Sequence, residues 1–228
     1  MCTQNENIND FSSIGSAGNN RLKIKICGMK YLENIQDVAA LKPDYLGFIF
    51  YEKSKRNFEA KMPVISNRIK KTGVFVNASI EFVREKVKQF GLYAVQLHGD
   101  ESPEYCKALS KDQIEIIKVF SIGDALPFEE IKKYEAVCDY YLFDTKGKER
   151  GGNGQVFNWT LLKDYPFKKP YFLSGGIGLD EVNALKSLMD TDVLKHCFAI
   201  DVNSRFEIAP GLKNVVKLKE FIHDLELD

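Results

Sequence analysis

Residues 23–30 read "KIKICGMK". Ile24 and Ile26 alternate with Lys23, Lys25 and Cys27, the period-two pattern of a strand with one apolar face. The other face carries two ammonium groups and a thiol in a line, and the chain then stops at Gly28. Moving outward, similar short apolar runs recur at 45–50, 73–76, 93–97, 115–120, 139–143, 170–174 and 197–201. Longer amphipathic stretches separate them, at 31–41, 60–70, 80–90, 102–110, 127–134, 158–163, 179–189 and 213–225. Within 80–90, for example, Ile80, Val83, Val87 and Phe90 fall at helical spacing.

About eight strand–helix units over about 200 residues suit a closed barrel, although a doubly wound open sheet also alternates strand and helix. The strand ends favour closure. Cys27, His98, Asp144, Ser174 and Asp201 all terminate apolar runs. In a barrel those ends meet at one rim, whereas an open sheet would spread them along a line. The expected fold is therefore α/β, a (β/α)8 TIM barrel forming a single domain over 22–228. Ile24 and Ile26 should then pack outward against helices. Cys27 should stand highest on the inner face of its strand, with Lys25 one step below and placed to keep the thiol ionised.

Composition narrows the function. In 228 residues, 32 Lys and Arg balance 32 Asp and Glu, so no global charge draws the chain to nucleic acid or to a membrane surface. Any anion recognition has to be local. The five cysteines lie far apart with no CxxC pair, which argues against a zinc site or disulfide framework and fits a reducing, cytoplasmic setting. Residues 1–21 are polar, rich in Asn, Ser and Gly, and lack the apolar core of a secretory signal; they read as a flexible tail.

Several loops carry candidate chemistry. In "YFLSGGIGLDEV" (171–182) a strand is followed by Gly175 and Gly176 and then by a helix start, an arrangement that lets backbone N–H groups approach a phosphate. It falls on the seventh strand, where barrels often bind phosphate. "CFAIDVNSRFE" (197–207) adds Asp201, Asn203 and Ser204 as organisers or donors for the same anion, with an Asx turn as the plainer alternative. His98, in "VQLHGDES" (95–102), points into the same mouth as a pocket or structural residue. Asp144 ends "YYLFD" without a helix to cap, which favours a general acid. The glycine- and charge-rich loop after it suits a mobile lid. In "FYEKSKRNF" (50–58), Arg56 has the fork geometry to hold a carboxylate.

Taken in order, "KICGM", "YLGFIFYEKSKR", "GVFVN", "VQLHGDE", "LFDTKG" with "GGNGQVFNW", "LSGGI", and "IDVNSRFE" with "PGLKN" resemble phosphoribosylanthranilate isomerase over essentially all of 22–222. The resemblance implies an Amadori rearrangement of N-(5'-phosphoribosyl)anthranilate to 1-(2-carboxyphenylamino)-1-deoxyribulose 5-phosphate. This is a step of tryptophan synthesis that needs no metal or organic cofactor. It implies Cys27 as base, Asp144 as acid, Arg56 on the anthranilate carboxylate, and Gly175, Gly176, Asp201, Asn203 and Ser204 at the phosphate. A small phosphorylated substrate and a monomer or homodimer are expected. A thiolate base should have its pKa lowered by nearby cations. Asn203 and Arg205 depart from the family's usual serine and glycine, and Lys55 from a frequent proline. Other phosphate-binding barrels of tryptophan or histidine synthesis, or a barrel that binds a phosphosugar without catalysis, are the alternatives.

Overall fold

The computed structural model describes residues 22–145 and 157–226; the N-terminal tail and the loop expected to act as a lid lie outside them. Eight parallel strands close into a barrel in chain order. They are β1 (Lys23–Ile26), β2 (Tyr45–Ile49), β3 (Lys70–Phe75), β4 (Ala94–Leu97), β5 (Glu115–Ile122), β6 (Tyr140–Thr145), β7 (Tyr171–Leu173) and β8 (Cys197–Val202). Closure comes from β1 pairing with both β2 and β8, which sets Lys25 directly opposite Asp201.

The alternation seen in the first strand is repeated around the ring. Ile24, Ile26, Leu46 and Phe48 belong to the large apolar layer outside the strands, while Tyr45, Ala94, Ile117, Leu142, Phe172 and Ala199 fill the interior. Near the N-terminal end of the strands, Lys70 donates to Glu115 at 2.8 Å and Tyr45 donates to the same carboxylate at 3.3 Å. The polar group at each strand's other end is therefore left to the opposite mouth.

The connections are less regular than the pattern suggests. α1 (Leu32–Ala40), α2 (Ile80–Phe90), α3 (Pro103–Leu109), α4 (Phe128–Lys132), α5 (Val182–Met189) and α6 (Val215–Glu226) form as expected in place, though α4 is only 5 residues long. Ser79 and Ser102 cap α2 and α3 by accepting from Phe82 and Tyr105 backbone N–H groups. No helix forms over 60–70. Pro63 lacks an N–H and disfavours helical backbone at Met62, and Val64 and Ile65 are β-branched. That segment instead runs extended, with Ala60, Met62 and Ile65 partly buried against the core, and β3 begins earlier than predicted, at Lys70. Over 158–163 the chain makes a 3-10 turn, Trp159–Asp164. After β8 it adds a small antiparallel hairpin, β9 (Glu207–Ala209) with β10 (Leu212–Lys213).

Candidate active site

The C-terminal strand ends open into one cavity of about 630 Å³. Cys27, Arg56, His98, Asp144, Gly175, Gly176, Asp201, Asn203 and Ser204 all line it, with Ile49, Tyr51, Val74, Gln96, Ser174 and Arg205. Residues chosen from separate loops of the sequence thus converge on a single volume.

Cys27 follows β1, and its backbone N–H donates to Val202 at 2.9 Å. The thiol is 4% exposed. Its room is provided by β2, because a Cβ on Gly47 would stand 2.7 Å from Sγ and 3.1 Å from the Cys27 Cα. Gly47→Ala is accordingly expected to cost about 1–3 kcal/mol of stability through overpacking and to lower kcat by displacing the thiol. Calorimetry and steady-state assay read both, and a variant that melts and turns over like the wild type would show that the thiol has space to spare. At Gly28 the chain takes a left-handed turn (φ 76°), where a Cβ would lie 2.7 Å from Asn203 Oδ1 and 2.8 Å from Arg56 Cδ. Glycine there lets two neighbouring loops close over the end of β1.

The charges around the thiol differ from the sequence expectation. Lys25 is completely buried and donates to Asp201 Oδ1 at 2.9 Å. Burial pushes the Cys27 thiol up from its ordinary 9.0; Lys25 and Lys213 pull it down, Asp201 adds to the rise, and burial wins. The expected lowering is corrected: the packing around Cys27 raises its thiol and so favours the protonated form. Burial would lower Lys25, but Asp201 and Cys27 carry it upward, so the ammonium keeps its charge. Burial also raises Asp201, against the pull of Lys25.

Asp144 ends β6, separated from β1 by β7 and β8. Its side chain is 9% exposed, and Oδ1 accepts from the Thr145 N–H at 3.0 Å. Oδ2 lies 3.5 Å from His98 Nε2. The other ring nitrogen of His98 stands 3.2 Å from Gln96 Nε2. Both ring nitrogens of His98 therefore face polar side chains, Gln96 on one side and Asp144 on the other. The loop bearing His98 is fixed from below by Glu101, which accepts from the Gly99 and Asn77 N–H groups and pairs with buried Lys118 at 3.2 Å.

The side of the cavity formed after β7 and β8 is built differently from a simple turn. Asp201 and Asn203 make no use of the Asx alternative: their side-chain oxygens are engaged by Lys25 and Lys213. Asp201 also accepts from Ser174 Oγ at 3.4 Å. Its carboxylate is thus committed to the interior, while Asn203 and Ser204 line the cavity beside it. Arg205 occupies a short 3-10 turn (Ser204–Phe206) without positive φ, and its Cβ and Cγ lie against Gly178. The side chain replacing the family's usual glycine therefore fits without backbone strain.

Arg56 is held in a fork by Glu207 on β9, donating from Nε at 2.8 Å and from Nη2 at 2.6 Å. Glu207 in turn accepts from Lys213 Nζ at 2.8 Å and from the Gly211 N–H at 3.0 Å. Burial would raise Glu207, but Arg56 and Lys213 hold it below the ordinary carboxylate range. Sequence reasoning missed Glu207 and Lys213. They lie in the quoted "IDVNSRFE" and "PGLKN" segments, and no local pattern says that a hairpin folds them under the rim.

A profile of the family described as N-(5'-phosphoribosyl)anthranilate (PRA) isomerase matches residues 24–224. The chain is 43% identical over 208 residues to the N-(5'-phosphoribosyl)anthranilate isomerase of Parabacteroides distasonis, spanning 89% of this chain and 92% of the relative. The crystal structure of phosphoribosyl anthranilate isomerase from Thermotoga maritima superposes with a TM-score of 0.76 at 31% identity, covering 90% of this chain and 98% of that one. A structure of the same enzyme type in complex with reduced 1-(o-carboxyphenylamino)-1-deoxyribulose 5-phosphate matches with a TM-score of 0.73 at 30% identity, again over 90% of this chain and 98% of that one.

Proposed function

The chain belongs to the N-(5'-phosphoribosyl)anthranilate isomerase family, and from that membership we propose that it rearranges N-(5'-phosphoribosyl)anthranilate to its 1-amino-1-deoxyribulose product with Asp144 as acid and Cys27 as base. The carrying observation is that a buried aspartate and a buried cysteine stand at the ends of separated strands of one cavity that also presents Arg56 and the two loops after β7 and β8.

The chemistry divides across that cavity. Asp144 protonates the ribose ring oxygen, and the ring opens to an iminium at C1'. Cys27 removes the C2' proton, giving an enol-amine. Return of a proton to C1' and loss of the enol proton complete the ketone; net, one hydrogen moves from C2' to C1' and one from the C2' hydroxyl to the ring oxygen, and both catalytic groups regain their starting states. His98, beside Asp144, keeps that carboxyl oriented. Arg56 receives the anthranilate carboxylate from the tethered position that Glu207 gives it. Gly175, Gly176, Asn203 and Ser204 receive the phosphate through backbone N–H groups and small polar side chains.

The protonation state of the thiol sets a pH dependence. A base that is a thiol at neutral pH becomes competent as pH rises, so kcat/KM should climb about tenfold per pH unit below the thiol pKa. That pKa lies above 9.0. Assay of the purified protein with freshly prepared substrate from pH 6 to 9 tests both activity and base. No turnover would remove the proposed reaction, and a plateau reached below about pH 8 would remove Cys27 as the titrating base.

A further inference from the structure

We propose that the buried ion pair of Lys118 and Glu101 is a positioning pair for the acid side of the site: it fixes the backbone on both sides of His98 and so sets the ring that meets Asp144. For its effect on turnover this rests on the reading of Asp144 as acid.

The first sign lies in β5, which reads EIIKVFSI. Ile116, Phe120 and Ile122 belong to the apolar layer outside the strands, and Lys118 stands among them on the same face. Its side chain is 4% exposed, and that of its partner Glu101 is 2% exposed. Charges taken so far out of water are destabilising unless hydrogen bonds replace the lost hydration. Here the replacements come from the main chain around His98.

Lys118 Nζ donates to Leu97 O at 3.2 Å and to Gly99 O at 2.8 Å, the carbonyls before and after His98, and to Glu101 Oε2 at 3.2 Å. Glu101 Oε2 accepts from the Gly99 N–H at 2.9 Å, and Oε1 accepts from the Asn77 N–H at 2.8 Å. The N–H of His98 itself donates to Phe75 O at 2.8 Å. The end of β4 is thus tied to β3 and β5, the strands that flank it. Gly99 leaves the carboxylate room to close on bare backbone, since a Cβ there would stand 2.6 Å from Glu101 Oε1 and 2.7 Å from Asn77 N. Apolar side chains could fill the space of the pair, but they would leave these carbonyl and N–H groups without partners. From this anchored backbone the His98 ring reaches into the cavity, with Nε2 3.5 Å from Asp144 Oδ2 and the other ring nitrogen 3.2 Å from Gln96 Nε2. A shift of about 1 Å in the loop would break the contact with Asp144, and a misplacement of that size can cost about a hundredfold in rate.

The test uses Lys118→Met in the full chain. Should that variant not fold, Lys118→Met with Glu101→Gln leaves no unpaired buried charge and carries the same readouts. The chain has three histidines, His98, His196 and His223, so a 15N imidazole spectrum separates a local effect from a general one. The His98 ring signals should move while those of His196 and His223 stay. In steady-state assay kcat should fall about ten- to a hundredfold. KM should stay within a few-fold, because Arg56 and the loops after β7 and β8 belong to other strands. In a His98→Ala background the same change should lower kcat no further, the non-additivity of residues that act through one group. A merely structural role would instead lower kcat equally in both backgrounds, and that result overturns the inference. So do unmoved His98 signals, signals of all three histidines moving together, or an unchanged kcat. Failure of the proposed reaction is seen separately, as a wild type without turnover of N-(5'-phosphoribosyl)anthranilate; the histidine spectrum then still decides whether the pair sets His98.

Discussion

Cys27→Ala is expected to lower kcat by about 10²–10⁴-fold, the usual range for loss of a positioned acid or base, while KM stays within a few-fold. Asp144→Asn should do the same. The reason is that under the proposed roles neither side chain grips the substrate's ionic ends, a task given to Arg56 and to the loops after β7 and β8, which line the same cavity. Cys27→Ser sharpens the result. A serine hydroxyl has nearly the same shape but does not ionise in the accessible range, so it should be as impaired as alanine if proton abstraction is the task. The fold should tolerate these changes. Alanine at 27 removes one sulfur that Gly47 already makes room for, and Asn at 144 keeps the acceptor for the Thr145 N–H. Steady-state kinetics with a melting curve on each variant provide the check. Near-normal kcat in either single variant would dismiss that residue from the mechanism.

Lys25→Met should be the most destabilising single change among these, at about 3–5 kcal/mol, because it strands Asp201 as an unpaired carboxylate in the interior. Lys25 and Asp201 are 0% and 5% exposed and sit opposite each other across the β1–β8 seam that closes the barrel. The protein has two ways to relieve the loss, protonating Asp201 or admitting water, and both weaken the seam. Removing the partner as well separates pairing from chemistry. Lys25→Met with Asp201→Leu should regain most of the lost stability, since a buried ion pair replaced by apolar groups is often neutral. Activity should stay low, because Lys25, the larger of the cationic influences that oppose burial at Cys27, is gone. Denaturant midpoints for the single and double variants read the first part and alkylation of Cys27 the second. A single variant as stable as the wild type would mean that the pair contributes nothing to closure.

How far these residues could be found by reading the chain depends on how local their signals are. Cys27, His98, Asp144, Ser174 and Asp201 announce themselves because each ends an apolar run, and strand ends share a rim once the strands close. Gly175, Gly176, Asn203 and Ser204 follow from turn chemistry at the last two strands. Arg56 was found as a fork, but Glu207, which holds it, was not. The partner of a fork is chosen by a hairpin fold and not by spacing along the chain. The helix expected over 60–70 failed for a local reason that was in view, Pro63 followed by Val64 and Ile65, outweighed by the regular alternation around it.

Alternation of apolar and polar positions, strand count and the order of short motifs are properties of neighbouring residues. They were enough to specify a parallel barrel, the end at which its cavity opens and its family. Protonation states and tethers belong to residues brought together from afar. Lys25 and Asp201 are 176 positions apart, and Arg56 and Glu207 are 151 apart. Desolvation depends on everything packed around a group, and Coulomb energy on distances in space. That is why a strand carrying two lysines pointed to an ionised Cys27, and why closure of the barrel instead buries it, which raises its thiol despite the cations nearby.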